Sequence, residues 1–276
     1  MQRLFRQVDV FSSEPFLGNP VAVVLNGAGL TTAQMQAFAR WMNLSETTFV
    51  ESPDDPGADY KVRIFTPSAE LPFAGHPTLG TCHAWLESGH APARAGRIVQ
   101  QCGAGLVIVR QGDGMLGFAA PPLLHAGPVE EPLIQQAAAQ LGIARSDIVD
   151  AQWADNGPGW IAIMLASARA VLDVRCGVGD LDLGIAGPYP AGSECDFEVR
   201  AFFPVDWLPV EDPVTGSLNA SLAQWLLGEG LATAPYIVSQ GTAIGRRGRV
   251  RIDKDTDGTI WVSGATGTRI AGQVDL

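Results

Sequence analysis

The feature that most constrains this chain is that it repeats itself. Residues 61–67 read K-V-R-I-F-T-P and residues 198–204 read E-V-R-A-F-F-P, identical at four of seven positions at an offset of 137. Five further matches follow in the same order. E-L-P-F at 70–73 faces W-L-P-V at 207–210, and T-C-H-A-W-L at 81–86 faces S-L-A-Q-W-L at 221–226. I-V-Q-Q at 98–101 faces I-V-S-Q at 237–240, and D-G-M-L-G-F at 113–118 faces D-G-T-I-W-V at 257–262. Upstream, V-A-V-V-L at 21–25 resembles I-A-I-M-L at 161–165 at an offset of 140. One match means little, because strands favour few residue types. Six in order point to a duplicated unit. The 276 residues are therefore expected to form two similar halves, 1–128 and 129–276, joined at the proline-containing A-A-P-P-L-L-H-A-G-P.

Each half reads as strands around helices. Val8–Phe11 and Val21–Leu25 are apolar runs split by turn residues that include Gly18-Asn19-Pro20. The run T-T-A-Q-M-Q-A-F-A-R-W-M puts Met35, Phe38, Ala39 and Met42 on one helical stripe, with Thr31 or Thr32 as cap. Helices are also predicted from Pro77 to Ser88 and from Ser217 to Leu227. Glu46 stands at the start of a short strand, E-T-T-F-V.

Composition excludes several classes. A formal net charge of −11 opposes a nucleic-acid partner. The basic cluster Arg246, Arg247 and Arg249 reads as a hairpin between two strands. No apolar run approaches the roughly 20 residues that span a bilayer, so no membrane association is expected. The first residues lack a secretory pattern, and a cytoplasmic location with reduced thiols is expected. The four cysteines, at 82, 102, 176 and 195, make no C-x-x-C pair, and Cys82 falls on an apolar helix face as a core residue. With no metal-ligand spacing and no G-x-G-x-x-G, neither metal nor cofactor is required.

The two helix starts carry the chemistry. One is P-F-A-G-H-P-T at 72–78, the other P-V-E-D-P-V-T-G-S at 209–217. A helix N-terminus leaves N–H groups unpaired and attracts a carboxylate or phosphate. Asp212 and Ser217 could be plain helix caps, and His76 a structural histidine near an N-cap. But duplicated elements should keep interchangeable caps, and these two have diverged to Gly-His and to Asp plus Ser. Roles in one shared site explain that divergence better, if the two starts face one cleft. Glu46, beside an apolar strand, is the candidate acid/base.

The stretches F-S-S-E-P-F-L-G-N-P-V-A-V-V, L-S-E-T-T-F-V, F-T-P-S-A-E-L-P-F-A-G-H-P-T-L-G, E-D-P-V-T-G-S-L-N-A and Q-G-T-A-I-G-R resemble the phenazine-biosynthesis PhzF family. The resemblance implies the diaminopimelate epimerase-like α+β fold: two pseudo-symmetric halves, each a mostly antiparallel sheet wrapped around a central helix. It implies a cofactor-independent isomerase in which Glu46 moves a proton between carbons of a small carboxylic acid, assisted by His76, Asp212 and Ser217. Gly75, Gly216 and Asn19 join those three as expected substrate-binding residues, and a homodimer is implied. The paired cysteines of diaminopimelate epimerases are absent: Ala74 stands in the first motif and no cysteine lies between 209 and 217. An epimerase or lyase acting at the same cleft, and a non-catalytic small-acid binder, remain as alternatives.

Overall fold

A computed structural model of the chain describes residues 1–205 and 207–276. In chain order the elements begin with β1 (Gln2–Val10), β2 (Asn19–Val24), α1 (Thr32–Met42), β3 (Glu46–Glu51), β4 (Tyr60–Phe65), β5 (Glu70–Leu71), α2 (Gly75–Glu87), β6 (Arg97–Cys102), β7 (Gly105–Gly112) and β8 (Met115–Ala119). They continue with β9 (His125–Pro128), α3 (Glu131–Leu141), β10 (Ile148–Asp155), β11 (Ile161–Leu165), α4 (Ala168–Asp173), β12 (Leu183–Pro188), β13 (Phe197–Val205) and β14 (Leu208–Asp212). The last are α5 (Gly216–Gly228), β15 (Tyr236–Gln240), β16 (Gly248–Lys254), β17 (Ile260–Gly264) and β18 (Thr266–Asp275). No helix is long and apolar enough to cross a membrane among the described residues.

The chain divides into two compact units, residues 1–119 with 263–276, and residues 120–262. In the first, strands pair in the order β18-β1-β2-β3-β4-β6-β7-β8, with β5 also on β4. In the second they pair as β9-β10-β11-β12-β13-β15-β16, with β14 on β13. Each unit is antiparallel except at two places, β2–β3 and β4–β6 in one and β11–β12 and β13–β15 in the other. Parallel neighbours need a crossover, and each crossover carries a helix: α1 and α2 in the first unit, α4 and α5 in the second.

This division departs from the expected single cut after residue 128 in two ways. The change of unit falls at 119/120, and the chain's last strand returns to the first unit, where β18 runs antiparallel to β1 from Gln2↔Asp275 to Val10↔Thr266. In the second unit the place beside β10 is filled by β9. β9 and β18 are thus counterparts that lie at opposite ends of their units in sequence.

The central helices are buried on all sides: ten of thirteen residues in α2 and nine of thirteen in α5. That explains their lack of a polar face. α2 presses close on its sheet at Gly80, where an added Cβ would stand 2.2 Å from Val21 Cγ1. The opposite face is covered by amphipathic helices. Met35, Phe38 and Ala39 of α1 pack with Val24, Phe49 and Phe65, and Ile134, Ala137 and Leu141 of α3 pack with Ile163, Leu183 and Phe202.

The repeated V-R-x-F-x-P places an arginine in each unit that ties a hairpin. Arg63 bonds Glu70 through Nε (2.7 Å) and Nη2 (2.6 Å), and Arg200 bonds Glu211 through Nε (3.0 Å) and Nη2 (2.8 Å). Registers Phe65↔Glu70 and Phe202↔Glu211 make Glu211, not Trp207, the counterpart of Glu70. The second hairpin is four residues longer, so the offset rises from 137 to 141 before the helix starts. Ala74-Gly75-His76 therefore correspond to Thr215-Gly216-Ser217. The basic cluster lies at the β15–β16 connection, where Arg247 and Arg249 reach Glu194 at 3.4 and 3.3 Å.

Candidate functional site

The helix starts differ in how they are capped. Thr31 closes a capping box on α1, and the Ser167 hydroxyl accepts from Ala170 N in α4. α2, α3 and α5 have no side-chain cap. The structure corrects the sequence expectation at α2. The N-cap is Ala74 and the helix begins at Gly75, two residues before the expected Pro77, so His76 is its second residue and still near the cap. Pro77 falls in the first turn, where its missing N–H removes no helical bond. Simple capping is also not the arrangement at α5. Its N-cap is Thr215, and Ser217 is its second residue.

In the first unit three of the candidate residues meet. His76 is 4% exposed, and its Nε2 lies 3.2 Å from Glu46 Oε2. Asn19, fully buried at the start of β2, places Nδ2 3.5 Å from His76 Nδ1. Burial pushes the imidazole down to about 3, against a raising contribution from the Pro20 carbonyl, so the ring is neutral at ordinary pH. A neutral ring carries one hydrogen, on either nitrogen. On Nε2 it faces Glu46 Oε2 across the 3.2 Å contact, which falls short of hydrogen-bond geometry, while Nδ1 accepts from Asn19. On the Asn19–Pro20 side it meets the Pro20 carbonyl, and Nε2 is then free to accept from a protonated Glu46. The pair can hold Glu46 in either protonation state without charging the histidine. Behind α2, Tyr60 donates to Gln100 Oε1 (3.0 Å), Gln100 Nε2 to Thr78 Oγ1 (2.9 Å), and Thr78 Oγ1 to the Ala74 carbonyl (2.9 Å).

In the second unit Asp212 ends β14 and Gly216 opens α5. Gln240, fully buried, anchors this start: its Oε1 accepts from Thr215 N (3.0 Å) and Asn219 Nδ2 (2.9 Å), and its Nε2 donates to Thr215 Oγ1 (2.9 Å). With Thr215 Oγ1 already accepting, its hydrogen points to Asp212 Oδ2 at 2.6 Å. That oxygen is therefore an acceptor. Ser217 Oγ accepts from Trp160 Nε1 (3.2 Å) and the Ser217 carbonyl from Asn156 Nδ2 (2.9 Å). Sequence reasoning missed Thr215, Gln240, Trp160 and Asn156. Gln240 carried a signal, since it opens Q-G-T-A-I-G-R; Trp160 and Asn156 carried none.

Thiols take no part at either helix start. Cys82 is buried in the body of α2, and burial raises it to about 12; burial likewise raises Cys102, Cys176 and Cys195.

The sequence and the fold have counterparts among known proteins. The family described as PhzC-PhzF, phenazine biosynthesis-like protein, matches residues 8–273. The chain is 35% identical over 292 residues to antisense-enhancing sequence 1 of Schizosaccharomyces pombe, covering 98% of this chain and 97% of that one. It is 35% identical over 257 residues to trans-2,3-dihydro-3-hydroxyanthranilate isomerase of Pseudomonas aeruginosa, covering 88% and 87%. The solved structure of a PhzF family protein from Bacillus anthracis superposes with a TM-score of 0.84 over 100% of both chains at 20% identity, a likeness of fold. With a match that spans nearly its whole length and relatives named as isomerases, the chain belongs to the PhzC-PhzF family of phenazine biosynthesis-like proteins and is a PhzF-like isomerase.

Proposed function

We propose that this isomerase shifts a proton between two carbons of a small carboxylic acid, without a cofactor, and that Glu46 gives and takes the proton. The observation that carries the reading is the 3.2 Å contact of Glu46 with a buried, neutral His76 at an uncapped helix start. Glu46 as carboxylate removes a hydrogen from one carbon, and the electron pair passes into the conjugated acid. The same carboxyl, now protonated, delivers the proton further along. His76 changes tautomer as Glu46 changes state. In the first unit the N–H groups at the Gly75 start hold the substrate carboxylate, with Asn19 and His76 binding its polar groups.

The Pseudomonas aeruginosa relative favours a cyclic substrate of the trans-2,3-dihydro-3-hydroxyanthranilate type. The test is turnover of that acid and a panel of unsaturated small acids in D2O, by the parent and by Glu46→Gln. An isomerase yields a product of the same formula carrying deuterium at carbon. A lyase changes the formula, and a binder does neither. A homodimer belongs to the same proposal and is checked by sedimentation.

A further inference from the structure

Each central helix doubles the hydrogen bond that opens it. The first helical bond of α2 runs from Thr78 N–H to the Ala74 carbonyl at 3.3 Å, and that of α5 from Asn219 N–H to the Thr215 carbonyl at 3.1 Å. In each, the side chain of the same residue donates to the same carbonyl: Thr78 Oγ1 to Ala74 at 2.9 Å, Asn219 Nδ2 to Thr215 at 2.8 Å. A fully buried glutamine, on the strand after the helix, holds that side chain. Gln100 Nε2 of β6 donates to Thr78 Oγ1 at 2.9 Å, and Gln240 Oε1 of β15 accepts from Asn219 Nδ2 at 2.9 Å. Ala74 corresponds to Thr215, so Thr78 and Asn219 occupy one position of the repeat, with different residue types and the same geometry.

Among the described residues the other α-helices lack this doubling. At the same position α1, α3 and α4 carry the apolar Met35, Ile134 and Val171, whose backbone N–H groups reach the cap carbonyl at 3.1, 3.1 and 3.2 Å. α3 is the informative case. It too has no side-chain cap, so the doubling does not simply accompany a missing cap. Nor is it a cheap way to hold a helix, because a buried polar chain is costly unless every member is paired.

We propose that Thr78, oriented by Gln100, is a positioning residue for the substrate carboxylate: it locks the Ala74–Gly75 peptide so that the Gly75 N–H stays aimed out of the α2 start. The proposal rests on the reading that this start holds the carboxylate. A trans peptide is planar, so its carbonyl and its N–H point in opposite directions, and fixing one fixes the other. Here the carbonyl is that of Ala74 and the N–H that of Gly75, a residue with no Cβ to restrict it. A side-chain cap would brace the start by taking the first-turn N–H groups that an anion needs. Thr78 braces it from the carbonyl side and leaves those groups to a ligand. The direction of its bond is set behind it. Tyr60 O–H donates to Gln100 Oε1 at 3.0 Å, which turns the amide Nε2 to Thr78, and Thr78 Oγ1, already accepting, gives its hydrogen to Ala74. Tyr60, Thr78 and Gln100 are sealed from water, so no solvent competes for these bonds.

The first test needs no turnover. Benzoate, a ring carboxylate, is titrated into the 15N-labelled parent, Thr78→Val and Thr78→Ser while the Gly75 amide resonance is followed, with thermal melts to confirm folding. The resonance should move in the parent, with half-saturation about tenfold higher in Thr78→Val and within about threefold in Thr78→Ser, which keeps the hydroxyl. Half-saturation in Thr78→Val within about threefold of the parent overturns the lock. A Gly75 resonance that benzoate does not move in the parent overturns the carboxylate reading of this start, and the proposal with it. If Thr78→Val does not fold, the triple variant Tyr60→Phe, Gln100→Met, Thr78→Val takes its place, since it removes every polar side chain of the chain together. The second test is turnover of trans-2,3-dihydro-3-hydroxyanthranilate. Thr78→Val should raise KM about tenfold with kcat within about threefold, and Thr78→Ser should recover most of the loss. A melting temperature that falls while KM stays in place would show a structural role alone and overturn the proposal. A fall in kcat at unchanged KM would put Thr78 on the proton transfer instead, and overturns it too. Glu46→Gln reports separately: if it stays active, Glu46 leaves the mechanism while the KM comparison stands. Where the parent does not convert this acid, the benzoate titration decides.

Discussion

Acid should weaken this protein through one buried ring. His76 sits at about 3 in the folded chain and near 6.5 unfolded, because burial penalises its charged form. The sign follows from proton counting. Between pH 6.5 and 3 the unfolded chain binds a proton at this position and the folded chain does not, so stability falls as pH falls. The contribution is fully present above 6.5. At pH 5 the unfolded ring is charged and the folded ring is not, a difference of about 1.5 pH units, or about 2 kcal/mol. The Glu46 carboxyl at 3.2 Å opposes the shift, so this is an upper figure. The assay is urea unfolding of the parent and of His76→Asn at pH 7.5 and pH 5. Comparing the two proteins cancels other titrating groups, including Asp182, whose raised value acts in the opposite direction. The parent should lose about 1–2 kcal/mol more than the variant on acidification. A difference under about 0.3 kcal/mol would show that the ring is not held neutral, and the tautomer argument at Glu46 would fail with it.

Three further outcomes are expected. Gly80→Ala puts a methyl 2.2 Å from Val21 Cγ1 and 3.1 Å from Val10 Cγ2, and overpacking there should cost about 1–3 kcal/mol in denaturant unfolding. Gln240→Leu leaves Thr215 N without its acceptor, removes one of the two acceptors of the Asn219 amide and leaves Thr215 Oγ1 without its donor, which should cost about 2–4 kcal/mol and lower the melting temperature. Iodoacetamide at pH 7.5 should leave turnover within about threefold, because burial raises all four thiols. Stoichiometric inactivation that substrate prevents would contradict this.

The sequence showed the duplication because the repeated pieces fill equivalent strands and helices. V-R-x-F-x-P recurs since each hairpin needs an arginine to tie its glutamate, and W-L recurs inside each central helix. The α1 cap was equally legible, since Thr31 and Gln34 form a local box. Two things were not. β18 closes the first unit from the far end of the chain, and a search for matches in the same order cannot see a permuted strand. The four extra hairpin residues displaced Glu211 from Glu70 by more than a gapless comparison allows. At the helix starts the residue types were visible, while their division of labour was not. Thr215 takes the cap position and turns its hydroxyl to Asp212 only because Gln240 occupies its lone pair.

The central claim is that Glu46 carries the proton. The most direct measurement is deuterium incorporation at carbon when trans-2,3-dihydro-3-hydroxyanthranilate and related unsaturated acids are incubated in D2O with the parent and with Glu46→Gln. The account predicts incorporation by the parent and a loss of about 10²–10⁴ in its rate in the variant, with substrate binding retained. Incorporation by Glu46→Gln within about threefold of the parent would contradict it.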